Sequence, residues 1–346
     1  MGIKKIGERT VAFENPPSVL GSACVGGKKE GEGPLGGEFD ILNEDALFGV
    51  ETWEKAESKM QRLALSAALG GAGLEPRSLD FVFAGDLLNQ CTASSFGMRD
   101  MGVPFFGVYG ACSTMAESLI LACMAVDGGF AARAAAVTSS HFCGAERQFR
   151  FPLEYGGQRA PTAQWTVTGA GAVVVGAGEA GRSPPRVTGF TSAKITDAGI
   201  RDANNMGAAM APAAFDTLSA HFADTGRSPG YYDMIATGDL GSLGAELLRG
   251  LFSDAGMGLK ENYADCGLLI YSGDSRDVHA GGSGCGCGAS VLAGHILRAM
   301  RAGRLNRVLF AATGAMLSSV STQQGESIPS ICYAVSIENG AGGLKG

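Results

Sequence analysis

The sequence predicts an α/β protein built from two duplicated halves and stacked as a five-layered α-β-α-β-α sandwich. Three observations carry that prediction. Strand-like stretches recur along the chain, two helical segments are apolar on nearly every face, and the composition is rich in glycine and poor in charge.

The repeat comes first. Residues 79–87 read LDFVFAGDL and residues 232–240 read YDMIATGDL, with four of nine positions identical. Phe81/Met234 and Val82/Ile235 exchange one apolar residue for another. Downstream, FAARAAAVTSS (130–140) parallels RLNRVLFAATG (304–314), and each follows an Ala-rich helical segment, 112–126 or 287–301. Apolar runs bounded by glycine suit strands covered on both faces and joined by right-handed crossovers. The offset is 153 at the first pair and 174 at the second. The second half therefore holds about twenty more residues between strand and helix, in SDAGMGLKENYADCGLLIYSGDSRDVHAGGSG (253–284). The Gly/Pro/charge stretch GEAGRSPPR (178–186) is the expected divide, giving halves 1–180 and 181–346.

Segment 112–126 holds a single charge, Glu117, so it belongs in a middle layer. Segment 287–301 is similar until Arg298 and Arg301 near its end, where cations suit the helix dipole. Two such helices between two sheets give five layers, with the helix N-termini opening near each other.

With 54 glycines in 346 residues, 18% charged and 45% hydrophobic residues, the chain is neither disordered nor, lacking a three-residue period, collagenous. Its net charge is −7 with no basic cluster, which excludes nucleic acid as a partner. Nine cysteines and an N-terminus without an apolar signal core suggest reduced, buried thiols. Four histidines and a C-x-C rather than C-x-x-C spacing argue against structural zinc, so no metal site is expected. No apolar run reaches the roughly 18 residues of a membrane helix, so membrane association would come through a partner.

YGACSTMAES places Cys112 after a Gly-rich entry at the start of the first central helix. A helix N-terminus lowers a thiol pKa, which points to a reactive cysteine; the plainer reading is a small apolar residue at a tight turn. A nucleophile also needs a base. His141, after the strand AAAVTSS, and His279, before GGSGCGCG, are the candidates. His221 falls on a helix-like surface pattern and His295 inside a central helix. Arg147, Arg150 and Arg159 could receive a carboxylate or pair at the surface. SGCGCG matches neither dinucleotide nor P-loop patterns, so its glycines are read as close backbone packing at the helix entry.

The GACST helix start, the duplicated halves and the strand TVTGAGAVV resemble the thiolase and β-ketoacyl-synthase superfamily. Within it, ITDAGIRDANNMGAAMAPAAFDT, YDMIATGDLG and ATGAMLSSVSTQQGESIPSICYAVSIE resemble the stage V sporulation protein AD family, from about residue 5 to residue 338. The resemblance implies a thiolase-like fold used for binding rather than condensation. The implied ligand is dipicolinic acid (pyridine-2,6-dicarboxylate), moved with calcium into the developing spore and out during germination. The implied setting is peripheral, at the spore inner membrane beside the other subunits of a sporulation membrane complex, and superfamily members usually form homodimers. No cofactor is implied beyond calcium as the dipicolinate chelate.

Condensing enzymes carry a histidine after the strand matching YDMIATGDLG, where this chain has Thr237, Gly238 and Asp239. Their second partner falls in GGSGCGCGAS, with Cys285 its counterpart unless a shifted alignment restores His279. The thiolases' second cysteine should fall near ATGAMLSS, which has none. Cys112 thus reads as a vestigial nucleophile, and no residue is expected to be catalytic. A dianion wants backbone N–H groups at a helix start plus Arg, His or hydroxyl partners. Cys112, Ser113, Thr114, His141, Thr168, Asn89 and Gln90 are the expected liners, because GDLLNQ and WTVTGAG should border one cleft. Asp86 and Asp239, from the two GDL motifs, are symmetry-related candidates for calcium, against a plain turn or cap role. Two other readings stay open: an acyltransferase using Cys112 with His141 or His279, and a scaffold whose cleft binds nothing.

Overall fold

The computed structural model describes residues 4–149, 159–178, 184–271, 273, 277–340 and 344. The first half runs β1 (Thr10–Ala12), β2 (Ser18–Gly27), α1 (Lys28–Gly31), β3 (Ile41–Asn43), α2 (Trp53–Ala72), β4 (Phe81–Gly85), α3 (Thr92–Met101) and β5 (Phe105–Gly107). It continues through α4 (Thr114–Asp127), β6 (Arg133–Ser140), α5 (Phe142–Phe149), β7 (Trp165–Thr166) and β8 (Gly169–Gly176). The second half runs β9 (Arg186–Thr191), α6 (Met206–Thr225), β10 (Met234–Thr237), α7 (Gly241–Asp254), β11 (Tyr263–Asp265), α8 (Cys266–Ile270) and β12 (Gly282–Ser283). It ends with α9 (Cys285–Ser290), a π-helical stretch Val291–Ile296, α10 (Leu297–Arg301), β13 (Arg307–Ala315), α11 (Ser319–Gln323) and β14 (Ser330–Glu338).

The strand order is β5-β4-β6-β8-β2 in one half and β11-β10-β13-β14-β9 in the other, the same winding twice. β4 runs parallel to β6 from Phe81↔Ala134, and β10 runs parallel to β13 from Met234↔Val308. The helical crossover inside each pair is a central helix, as the repeat requires. The long outer helices also start 153 residues apart, at Trp53 and Met206. Each is capped by a side chain, Thr52 Oγ1 accepting from Lys55 N and Asn205 Oδ1 from Ala208 N, and each stops at a left-handed glycine, Gly73 or Gly226.

α4 lies between the sheets, against β4, β6 and β8 on one side and β13 and β14 on the other. α9 packs on β8, β6 and β2, while its Gly288 faces Phe310 of β13. α2 and α3 cover the outer face of the first sheet, and α6 and α7 that of the second. These are the five expected layers. Met115, Leu119, Ile120 and Cys123 of α4 are buried in the central core, where a fully buried Leu or Met contributes about 1.5–3 kcal/mol.

Two details concern the divide between the halves, and a third overturns an expectation. The halves are not separate in pairing: β1, from the N-terminus, lies antiparallel on β9 (Thr10↔Thr191), and Ser18↔Arg186 joins β2 to β9. The divide expected within 178–186 falls largely on residues 179–183, outside the described residues. His221 is not on a surface: α6 turns it inward, Nδ1 2.7 Å from Thr191 Oγ1 and Nε2 2.5 Å from Tyr232 Oη. Burial pushes its pKa down to about 3 and keeps it neutral. All nine cysteines are free thiols, eight of them buried. Among the described residues no helix is long and apolar enough to cross a membrane.

Candidate functional site

Cys112 sits in a sharp turn between β5 and α4. Ala111, immediately before it, is held at φ +50°, a left-handed conformation that a side chain rarely adopts. The turn is pinned by its neighbours: Ser113 Oγ donates to Gly110 O at 2.6 Å and Thr114 Oγ1 to Ala111 O at 2.6 Å. Thr114 Oγ1 also accepts from Gly110 N at 3.0 Å. β13 backs the turn through Gly314, where an added Cβ would lie 2.3 Å from Gly110 O. Such strain persists only where the surroundings over-determine it, and it recurs at functional sites.

The thiol, 6% exposed, forms the floor of a crevice walled by Leu87, Tyr109, Ala145, Phe149, Met206 and Leu317, with polar groups from Glu146, Thr166 and Ser283. The space between the walls is about 450 Å³ including the mouth. Beneath it Asp239 is buried, accepting from Gly284 N at 2.9 Å, Ser283 Oγ at 3.2 Å and Thr313 Oγ1 at 3.0 Å. Gly284 is held at φ +97°, and a Cβ there would meet Ser140 Oγ at 2.6 Å; the glycines of SGCGCG do serve close packing at the helix entry. The Asp239 carboxyl also lies close enough to the Cys112 thiol for each to act on the other's titration.

That contact fixes the electrostatics. Burial, then the charge of the nearby Asp239, push the Cys112 thiol well above its ordinary pKa of 9.0. Burial pushes Asp239 up to about 6, against the hydrogen bonds it accepts. A helix N-terminus favours an anion by only about 0.3–1 kcal/mol, and burial together with the charge of Asp239 acts the other way. The carboxylate wins, and the thiol stays protonated. The lowered pKa expected from the helix start is overturned.

The stretches GDLLNQ and WTVTGAG do border the same crevice, but through Leu87 and Thr166. Asn89 and Gln90 are exposed on a turn where Gln90 has φ +60°, and Asn89 N donates to Gln148 Oε1 at 2.8 Å. Thr168 accepts from Phe142 N at 3.1 Å, away from the walls. Ser113 and Thr114 spend their hydroxyls on the turn, and their N–H groups close back to Gly110 O (3.1 Å) and Ala111 O (3.3 Å). The helix start therefore does not offer these donors to an anion. His141 donates from Nε2 to Ala46 O at 2.8 Å, is kept neutral by burial, and is not a wall residue. His279 is exposed. Cys285 is brought beside Cys112, sharing a buried cluster with Leu87 and Ala145, and its thiol donates to Ser139 O at 2.9 Å. Arg150 lies outside the described residues.

Asp86 takes the cap role. Its carboxylate accepts from Leu88 N (2.9 Å), Ser94 N (2.8 Å) and Ser94 Oγ (2.6 Å). Burial raises its pKa, and raises that of Glu57 still more, with the charge of Asp86 adding to it. Asp265 is pushed up to about 7 by burial, with the charge of Asp239 adding to it. Among the described residues no group of three or more His, Cys, Asp or Glu side chains is arranged to hold a metal ion.

The sequence profile described as stage V sporulation protein AD matches residues 7–338. Stage V sporulation protein AD of Bacillus subtilis (strain 168) is 44% identical over 342 residues, covering 98% of this chain and 99% of that protein. This chain belongs to the stage V sporulation protein AD family. Among solved structures, OleA from Xanthomonas campestris (an E117Q variant) is similar at TM-score 0.61 and 14% identity over 96% of this chain and 100% of that one. The 3-oxoacyl-[acyl-carrier-protein] synthase III of Aquifex aeolicus VF5 is similar at TM-score 0.58 and 13% identity over 93% and 99%. At that identity these two show the thiolase-like fold alone. The wall residues missed by sequence reasoning lay partly in the strings that mark the stage V sporulation protein AD family. Met206 comes from NNMGAAMAP, and Ala315 and Leu317 from ATGAMLSS. Glu146 and Phe149 share one face of α5 with Ala145, a spacing of one helical turn.

Proposed function

We propose that this chain is a non-catalytic binding protein whose crevice receives dipicolinic acid, taking part in the passage of that acid, with calcium, into and out of the spore. The observation that supports it is the pairing of Cys112 with Asp239. Where a condensing enzyme activates its thiol, this chain sets a buried carboxylate whose charge disfavours the thiolate. The crevice survives as a pocket with an apolar, aromatic lining and a few convergent polar groups, suited to a small planar ring. The chain acts as a peripheral subunit at the spore inner membrane, docked through membrane-embedded partners of the sporulation complex.

It does so as a homodimer. Among the described residues β5 ends the sheet with its outer edge unpaired, Phe106 on it is 50% exposed, and Phe106 stacks on Phe83 with ring centroids 5.1 Å apart. The strand at the opposite end, β11, instead buries Tyr263. An open apolar edge asks for a partner.

Titration calorimetry tests the binding role. Dipicolinate should bind the wild type, an isomeric pyridine-3,5-dicarboxylate should not, and Cys112→Leu, which fills the floor, should abolish binding. His141→Ala should bind as the wild type does. Absence of heat and of any thermal shift with dipicolinate would leave a scaffold. A thioester on Cys112 after incubation with acyl-CoA, seen by intact mass, would restore the acyltransferase reading.

A further inference from the structure

Among the described residues that wall the crevice, Glu146 is the one charged side chain, and it carries the wrong sign for an anionic guest. It is buried, accepts from Thr166 Oγ1 at 3.2 Å, and meets Arg159 Nη1 through Oε2 at 3.4 Å. Arg159 therefore stands directly behind the carboxylate. Its side chain is 19% exposed. The guanidinium lies over Phe142 and Trp165, 5.8 and 5.4 Å from their centroids, and those rings stack on each other at 3.9 Å. Nη2 donates to the Gln164 carbonyl, and Nε is buried without a hydrogen-bond partner among the described residues. Gln164 donates in turn to Asp239 O (2.6 Å) and Gly282 O (3.0 Å). Arg159 is thus tied to the backbone beneath the thiol.

We propose that Arg159 is the carboxylate-recognising residue of the crevice, and that a carboxylate of the guest replaces Glu146 on it. The inference rests on reading the crevice as a site for an aromatic dicarboxylate. A guanidinium presents a planar fork that matches a carboxylate with two parallel N–H···O bonds, and the aromatic stack fixes its plane. A partly buried arginine without a counter-ion would be costly, so Glu146 keeps it paired in the unliganded protein. Exchanging one carboxylate for another leaves the guanidinium paired throughout, and only an anionic guest can make the exchange. Neutral isosteres are refused because they leave Glu146 in place.

Calorimetry with pyridine-2,6-dicarboxylate, and with pyridine-2,6-dicarboxamide as the neutral isostere, tests this on wild type, Glu146→Gln, Arg159→Met and Arg159→Lys. Removing the internal competitor should tighten dicarboxylate binding about ten-fold in Glu146→Gln, and Arg159→Met should weaken it by at least about ten-fold. Arg159→Lys keeps the charge but not the fork, and should fall between at an unchanged melting temperature, so a folding defect in Arg159→Met does not decide the matter. Arg159→Met should also lose the preference for the dicarboxylate over the diamide. If the wild type binds and all three variants bind as it does, the exchange is wrong while the binding role stands. If the wild type itself does not bind, the binding role falls and the exchange with it.

Discussion

The carboxyl group of Asp239 lies beside the thiol of Cys112, close enough to act on its titration, and both are buried. The same carboxyl accepts from Gly284 N, Ser283 Oγ and Thr313 Oγ1, so three elements converge on it. Asp239→Asn can keep this geometry, its oxygen toward Gly284 and its NH₂ toward the Thr313 hydroxyl, while removing the charge. The Cys112 pKa should then fall, and each unit multiplies the thiolate fraction at a given pH below the pKa by about ten. Iodoacetamide labelling at pH 8, read peptide by peptide, should be negligible at Cys112 in the wild type and at least several-fold faster in the variant. An unchanged rate would mean that Asp239 does not control the thiol.

Asp265 and Asp239 titrate in the folded chain near 7 and 6, above their ordinary 3.8. Between those values the folded state binds more protons than the unfolded chain, so these groups stabilise the fold below pH 3.8 and that contribution is lost as pH rises through 6 to 7. His221 acts oppositely: its pKa is pushed down to about 3, so its contribution is present above 6.5 and lost as pH falls. The informative quantity is therefore a difference. Asp265→Asn should gain stability relative to wild type between pH 4 and pH 7.5, measured by urea unfolding at each pH. A constant difference would show that Asp265 is not held protonated.

Gly314 gives the turn before Cys112 its room. A methyl at that position would lie 2.3 Å from Gly110 O and 3.1 Å from Ser113 N, backbone atoms that cannot swing aside. Gly314→Ala should cost about 1–3 kcal/mol, in the range of overpacked cores, and should displace the thiol. Chemical denaturation measures the first effect. Loss of dipicolinate heat in protein that is still folded measures the second.

The layers of this fold were legible because their causes are local. Apolar runs cut by glycine name the buried strands, and a segment as poor in charge as 112–126 belongs in a middle layer. The Cys112 turn was legible for the same reason, since GACST states its own geometry. The wall of the crevice was not, because it is assembled from positions far apart in sequence, such as Leu87, Glu146, Thr166, Met206 and Leu317. Polar residues next to the right stretches, Asn89 and Thr168 among them, turned to solvent or to the backbone. In a strand or turn the neighbour of a wall residue points the other way. Nor could the sequence reveal that Asp239 lies beside the thiol, since the two come from opposite halves of the chain.

The exposed edge of β5 yields the last expectation. Phe106 projects, half exposed, from a strand with no neighbour on its outer side among the described residues, while Phe81 and Phe83 brace it from within at 5.5 and 5.1 Å between ring centroids. Burying such a ring across a two-fold contact contributes about 1.5–3 kcal/mol per copy, and placing a charge there reverses the sign. Phe106→Glu should therefore leave the fold intact, because the side chain already meets solvent, yet shift the chain from dimer to monomer. Sedimentation velocity reads the mass, and circular dichroism checks the fold. A wild type that sediments as a monomer at micromolar concentration removes the edge as a self-contact, and the membrane partners then become the occupants to test.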